Sequence, residues 1–324
     1  MQNKKVEKWL RSENPTTRQR WAARMDWTPT PEQIERGLTD EDSWVQSTWA
    51  KRTDFTPTPE QIERGLTDKS GSVRSSWAGR MDFAPTPEQI ERGLTDEFYG
   101  VQVAWAKRMD WTPTHAQIER GLTDENEKVR EQWAMRMDFI PTPEQVTRGL
   151  SDRKHSVRIA WAKRMDWSPT PEHIEIGLTD EYNWVRLAWV LRLDWKPTPE
   201  QIERGLTDKD ELLRKAWIQR YDFTMTPEQV ERALVDKSDY VRQCCALRTD
   251  FTPTLEQAER GIQDADVSVV KAWLSRTDIE WAQEHIQKGL QHTNEGVRKA
   301  WEDTLQRQNA SSDVLSEPEV QWAL

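Results

Sequence analysis

The sequence predicts an all-α protein, a right-handed α-solenoid of about ten two-helix repeats of 28 residues with terminal caps. Three observations predict it. A tryptophan returns at Trp21, Trp49, Trp77, Trp105, Trp133, Trp161, Trp189, Trp217, Trp273 and Trp301, always in a 28-residue register, and only Cys245 interrupts the series. Each interval carries two apolar stripes of helical period, Ile34 with Leu38 and then Val45 with Trp49. Helix punctuation recurs at fixed places around those stripes, without insertion or deletion.

The elements follow in order. Residues 1–20 read as an N-terminal capping helix, because Val6 and Leu10 stand in register with Ile34 and Leu38. The repeat array spans 21–307. In its first repeat Thr30-Pro31-Glu32-Gln33 is a capping box with Pro at the first helical position, so a short helix starts there and carries Ile34 and Leu38. Asp40 is the expected N-cap of a second helix, on which Val45, Trp49 and Thr53 (Met in five other repeats) fall on one face. The joint Asp54-Phe55-Thr56-Pro57 cannot stay helical, since Pro57 disfavours helix at Thr56. Phe55 and its equivalents Trp27, Phe83, Trp111 and Trp167 are expected to plug the gap between repeats. The last helix starts near Trp301 and is expected to end near Arg307, leaving 308–324 as a polar, mobile tail.

Gly37 and its equivalents admit two readings, a left-handed helix stop or a helical residue that lets the indole approach. Ala233 and Trp9 occupy the same position, and neither tolerates positive φ well, which favours close approach. The repeat with Ala233 is also the one with Cys245 in place of Trp. A larger residue where the glycine was and a smaller one where the indole was reads as volume compensation.

Only 35% of residues are hydrophobic and 31% are charged, a composition that leans to disorder until the 19 Trp are counted. Each indole can bury roughly 150–250 Å², enough to build a core in a polar chain. The net charge of −10 disfavours phosphate backbones and anionic membranes as partners. There is no apolar run of transmembrane length, Met1–Leu10 has no signal-peptide core, and Cys244 and Cys245 are adjacent. The expectation is a cytoplasmic protein with no membrane contact and no disulfide.

Pro31-Glu-Gln-Ile-Glu-Arg-Gly-Leu-Thr-Asp40, followed by Val45, Trp49-Ala50 and Arg52, resembles the variant leucine-rich repeat and, more loosely, HEAT-type helical repeats. The resemblance covers nearly the whole chain. It departs from the family in its longer repeat, in Trp where a small residue is usual, and in lacking a cysteine cluster. It implies a superhelical binding scaffold.

Chemistry finds little footing. His115, His155, His173, His285 and His292 are scattered, no Cys/His spacing suits zinc, and no Gly-rich loop suits phosphate. No enzyme, cofactor or metal is expected. The ten-membered file Arg24, Arg52, Arg80, Arg108, Arg136, Arg164, Arg192, Arg220, Arg248 and Arg276 offers an alternative, a nucleic-acid-binding solenoid. The Asp two residues after each Arg favours internal ion pairing instead. A second alternative is an acidic DNA-mimic inhibitor built from Glu32, Glu35, Asp40 and their copies, against which interleaved Arg argues.

The variable positions are more informative. In the helix near Glu181–Leu193, Trp184, Leu187 and Leu191 face away from the core residue Trp189, so that helix is apolar on two faces. Tyr99 and Val103, Met135, and Ile159 stand at outward positions in the three preceding repeats. At the usual helix spacing these seven residues would make a strip about 30 Å long. The expected function is a protein-protein interaction scaffold. It binds a protein partner, or a second copy of itself, through this exposed face of stacked helices.

Overall fold

The computed structural model describes residues 2–315, with side chains from Val6 to Ala310. Every element among the described residues is a helix. Two modules are distinguished, Met1–Ser168 and Pro169–Leu324.

The first module contains α1 (Gln2–Leu10), α2 (Pro15–Ala22), α3 (Pro31–Leu38), α4 (Ser43–Ala50), α5 (Pro59–Leu66), α6 (Gly71–Ala78), α7 (Pro87–Leu94), α8 (Tyr99–Lys107), α9 (His115–Leu122), α10 (Glu127–Ala134), α11 (Pro143–Leu150) and α12 (His155–Lys163). The second contains α13 (Pro171–Leu178), α14 (Asn183–Val190), α15 (Pro199–Leu206), α16 (Glu211–Ile218), α17 (Pro227–Leu234), α18 (Asp239–Ala246), α19 (Leu255–Gly261), α20 (Val267–Leu274), α21 (Gln283–Leu290) and α22 (Glu295–Leu315). Odd-numbered helices are the first helix of each repeat and even-numbered ones the second. Each module is therefore a helical tandem-repeat array.

An isolated helix of eight residues is unstable in water, so local signals only place these helices and packing keeps them. The Thr30 hydroxyl accepts from Gln33 N–H while Gln33 Oε1 accepts from Thr30 N–H, the predicted capping box. The Thr39 hydroxyl closes α3 by donating to Glu35 O at 2.8 Å. The second helix is capped by Asp42, whose carboxylate accepts from Trp44 and Val45 N–H, and not by Asp40. Asp40 sits two residues earlier, accepts from Asp42 N–H, and is committed to the preceding repeat, as described below.

The core lies between the two helices of each repeat. Val45 and Trp49 and their copies are almost completely buried, and Ile62, Leu66 and their copies close over them. In the nine pairs from Gly37/Trp49 to Gly289/Trp301, a Cβ on the glycine would lie 1.9–2.2 Å from the nearest indole atom. No glycine among the described residues has positive φ. The glycines therefore admit the indole and do not stop the helix. At the N-terminal end Trp9 replaces the glycine, and the Trp9 and Trp21 rings stack with centroids 6.1 Å apart.

Three features differ from expectation. Two helices, not one, begin within the first 20 residues, α1 and α2, because Asn14 caps a second helix at Thr16 N–H. The Met file does not face the core: Met25, Met81, Met109, Met137 and Met165 are exposed. Helix α4 ends at Ala50, so the 100° step that would carry position 53 onto the Trp49 face no longer applies. At the other end α22 continues to Leu315, past Arg307, since no Pro or Gly interrupts the sequence between Gly296 and Pro318. The remainder of the proposed tail, 316–324, lies outside the described residues.

Candidate interaction surface

Three ladders of charged residues join consecutive repeats, and they account for most of the ionic groups that the consensus repeats. The first is the Arg file. Arg136 is buried. Its Nε donates to Asp138 at 3.0 Å, and Nη2 to the same carboxylate at 2.5 Å and to Trp111 O at 3.3 Å. Nη1 donates to Ala106 O at 2.8 Å and Arg108 O at 2.7 Å. All five guanidinium N–H groups are used. The three carbonyls belong to the preceding repeat, where two of them end α8 and would otherwise be unsatisfied. The guanidinium also lies 4.5 Å from the Trp111 ring centroid and 5.3 Å from that of Trp133. This is how the aromatic at the joint plugs the gap. Arg52, Arg80, Arg108, Arg164, Arg220, Arg248 and Arg276 repeat the arrangement. Arg24, with no equivalent repeat before it, is exposed, pairs with Asp26 and lies 4.6 Å from the Trp21 ring centroid.

The second ladder explains Asp40. Arg130 donates from Nε and Nη2 to Asp152 of the next repeat, at 2.7 and 2.9 Å, and from Nη1 to Asp124 O and Glu125 O. Arg18 holds Asp40 in the same way, as do Arg74 with Asp96, Arg186 with Asp208, Arg214 with Asp236 and Arg242 with Asp264. Burial pushes the Asp152 carboxyl up. The Arg130 pair and the Lys154 N–H pull it down further, and it ends below the usual carboxylate range.

The third ladder lies along the first helices. Glu91 accepts from Arg120 Nη1 and Nη2 at 2.7 and 3.0 Å and from Gln117 Nε2 at 3.0 Å. Arg120, then Gln117, holds its carboxyl below the usual range. The same lowering recurs at Glu35, Glu119, Glu175, Glu203 and Glu231, and at Glu7 it reaches about 2, led by the Gln33 hydrogen bond.

A buried guanidinium with every donor satisfied cannot reach a phosphate. Of the carboxylates considered for DNA mimicry, Glu35 and Asp40 are held by cations of neighbouring repeats.

What remains uncommitted is the outer face of the second helices. In the second module Trp184 and Leu191 are 51% and 63% exposed, while Leu187 between them is half-buried. In the first module Tyr99 and Met135 are exposed, and Val103 and Ile159 are half-buried. Each module thus carries its own apolar patch. Consecutive second helices pack directly on one another within a module, whereas consecutive first helices touch lightly and are joined chiefly by the third ladder.

Two open grooves run between second helices of the first module. One, about 770 Å³, lies between α4 and α6 and is walled by Trp44, Met81 and Phe98 over a floor that includes Ser47, Ser75 and Gly79. The other, about 240 Å³, lies between α10 and α12, where Met135, Met137, Ile159 and Ala160 line it. Met135 and Ile159 were legible as outward apolar positions. Trp44, Met81 and Met137 were missed. The small residues Ser72, Ser75, Ser76 and Gly79 are the signal that a gap would open there.

The fold defines the class, a helical tandem-repeat protein. No family model matches the chain, and no curated protein matches it. Among solved structures it is similar to one described as a leucine-rich repeat variant with a novel repetitive structural motif, at 24% identity and a TM-score of 0.43 over 66% of this chain and 79% of that one. No helix among the described residues is long and apolar enough to cross a membrane.

Proposed function

We propose that this chain is a binding scaffold that holds a protein partner, or a second copy of itself, on the outer face of its second helices, and that it performs no catalysis. The observation that carries the reading is α14. Its inner face buries Val185 and Trp189 in the core, yet its outer face presents Trp184 and Leu191 to solvent. An exposed indole beside an exposed leucine is the composition of an interface anchor. The consensus ion pairs are spent on joining repeats, which leaves the variable outer positions to distinguish partners.

The test compares the parent with Leu187→Glu/Leu191→Glu by sedimentation and by affinity capture from lysate, with circular dichroism as the folding control. The double variant is expected to lose the complex or the self-association and keep its helicity. Unchanged assembly and unchanged recovery would overturn the reading. Binding to heparin or duplex DNA that weakens steeply with salt would replace it with a nucleic-acid function.

A further inference from the structure

We infer that the two grooves of the first module receive an extended acidic peptide segment carrying two bulky apolar side chains about eight or nine residues apart. The inference rests on the reading of the second-helix face as an interaction surface and names the chemistry of its partner.

Charge comes first. The groove between α4 and α6 is lined by Lys51, Arg80 and Asp82, and that between α10 and α12 by Glu131, Lys163 and Arg164. Each set sums to +1, on a chain whose net charge is −10. The carboxylates are already taken, Asp82 by Arg80 and Glu131 by Lys128, and Arg164 holds Asp166. Among the described residues no ion pair is formed by Lys51, by Lys163 or by Lys107, which is exposed on α8 between the grooves. Exposed apolar walls and three uncommitted ammonium groups favour a segment with apolar anchors and carboxylates between them.

The shape agrees. Trp44 is 65% exposed and stands as a wall over a floor of serines and Gly79, a recess suited to a bulky side chain. The grooves lie three repeats apart, or about 25–30 Å at ordinary helix spacing, which eight or nine residues of extended chain span.

The probe is a phage-displayed library of random twelve-residue peptides selected on the full chain. Enriched peptides are then synthesised and titrated against variants. The expected winners combine Asp or Glu with Trp, Phe, Leu or Met. Lys51→Glu and Gly79→Leu are each expected to weaken them by about tenfold. A Cβ at Gly79 meets nothing nearer than 3.6 Å, so that substitution fills the groove without straining the backbone. Ser75→Leu is the second groove-filling variant, and Lys196→Glu in the second module is the control that should leave affinity unchanged. Acidic winners indifferent to both groove-filling variants would overturn the inference, as would winners without acidic residues, while the scaffold reading stands. If selection enriches no peptide on the full chain, the inference fails. If Leu187→Glu/Leu191→Glu also leaves assembly unchanged, the scaffold reading fails with it.

Discussion

Ala233 and Cys245 give the sharpest test of how the repeats are built. In the nine Gly/Trp pairs a glycine Cβ would approach the indole to 1.9–2.2 Å, against ordinary carbon contacts of about 3.5–4.0 Å. Cys245→Trp alone puts an indole where the Ala233 methyl already is. Relief of more than an ångström must come from separating α17 and α18 or forcing the ring off its rotamer, and such overpacking costs about 1–3 kcal/mol. Cys245→Trp with Ala233→Gly restores the pair found in the neighbouring repeats. Removing the methyl costs about 1 kcal/mol in helix propensity. Burying an indole of roughly 150–250 Å² gains several times that at about 25 cal/mol per Å², so the double variant should be more stable than the parent. Urea denaturation followed by circular dichroism measures all four corners of the cycle, and amide exchange in α17 and α18 localises the effect. A coupling of at least about 2–4 kcal/mol is expected, the sum of the two single costs, and additivity within about 0.5 kcal/mol would refute contact between the two positions. The native Cys245 is in any case a packing residue. It is buried, its Sγ lies 3.8 Å from Val230 O, and burial pushes its thiol up to about 12, so it should resist alkylation until the chain unfolds.

Two further outcomes follow from the ladders. Arg136→Met strands Asp138 and the carbonyls of Ala106, Arg108 and Trp111, and should cost about 3–5 kcal/mol in urea denaturation, whereas Arg24→Met should leave the midpoint where it is. The carboxyls of Glu7, Glu35, Glu91, Asp152 and Asp236 sit lower in the folded chain than in the unfolded one, so the unfolded chain binds more protons in acid. Stability should therefore hold above the ordinary carboxylate pKa of about 4 and fall as pH drops through the lowered values toward about 2, which a pH series of thermal melts would show.

The 28-residue period, the capping boxes and the pairing of glycine with tryptophan could be read from the chain by itself. Each is a local signal, and repetition multiplies it: Thr30 and Gln33 satisfy each other's backbone within one turn, and Ala233 with Cys245 reports a contact by changing together. The pairing of Arg136 with Asp138 was likewise legible, because the two are two residues apart. Tertiary structure decided the rest. Asp40 reads as a helix cap, but its principal partner is Arg18, 22 residues earlier, and only the stacking of repeats brings them together. The Met file extrapolates onto the core face until the helix is seen to end at Ala50, after which the chain turns those side chains to solvent. Whether adjacent second helices close up or leave a groove depends on side-chain bulk across the gap. Residues such as Ser47 and Gly79 set that bulk from two helices 28 residues apart, a distance over which sequence periodicity carries no information about spacing.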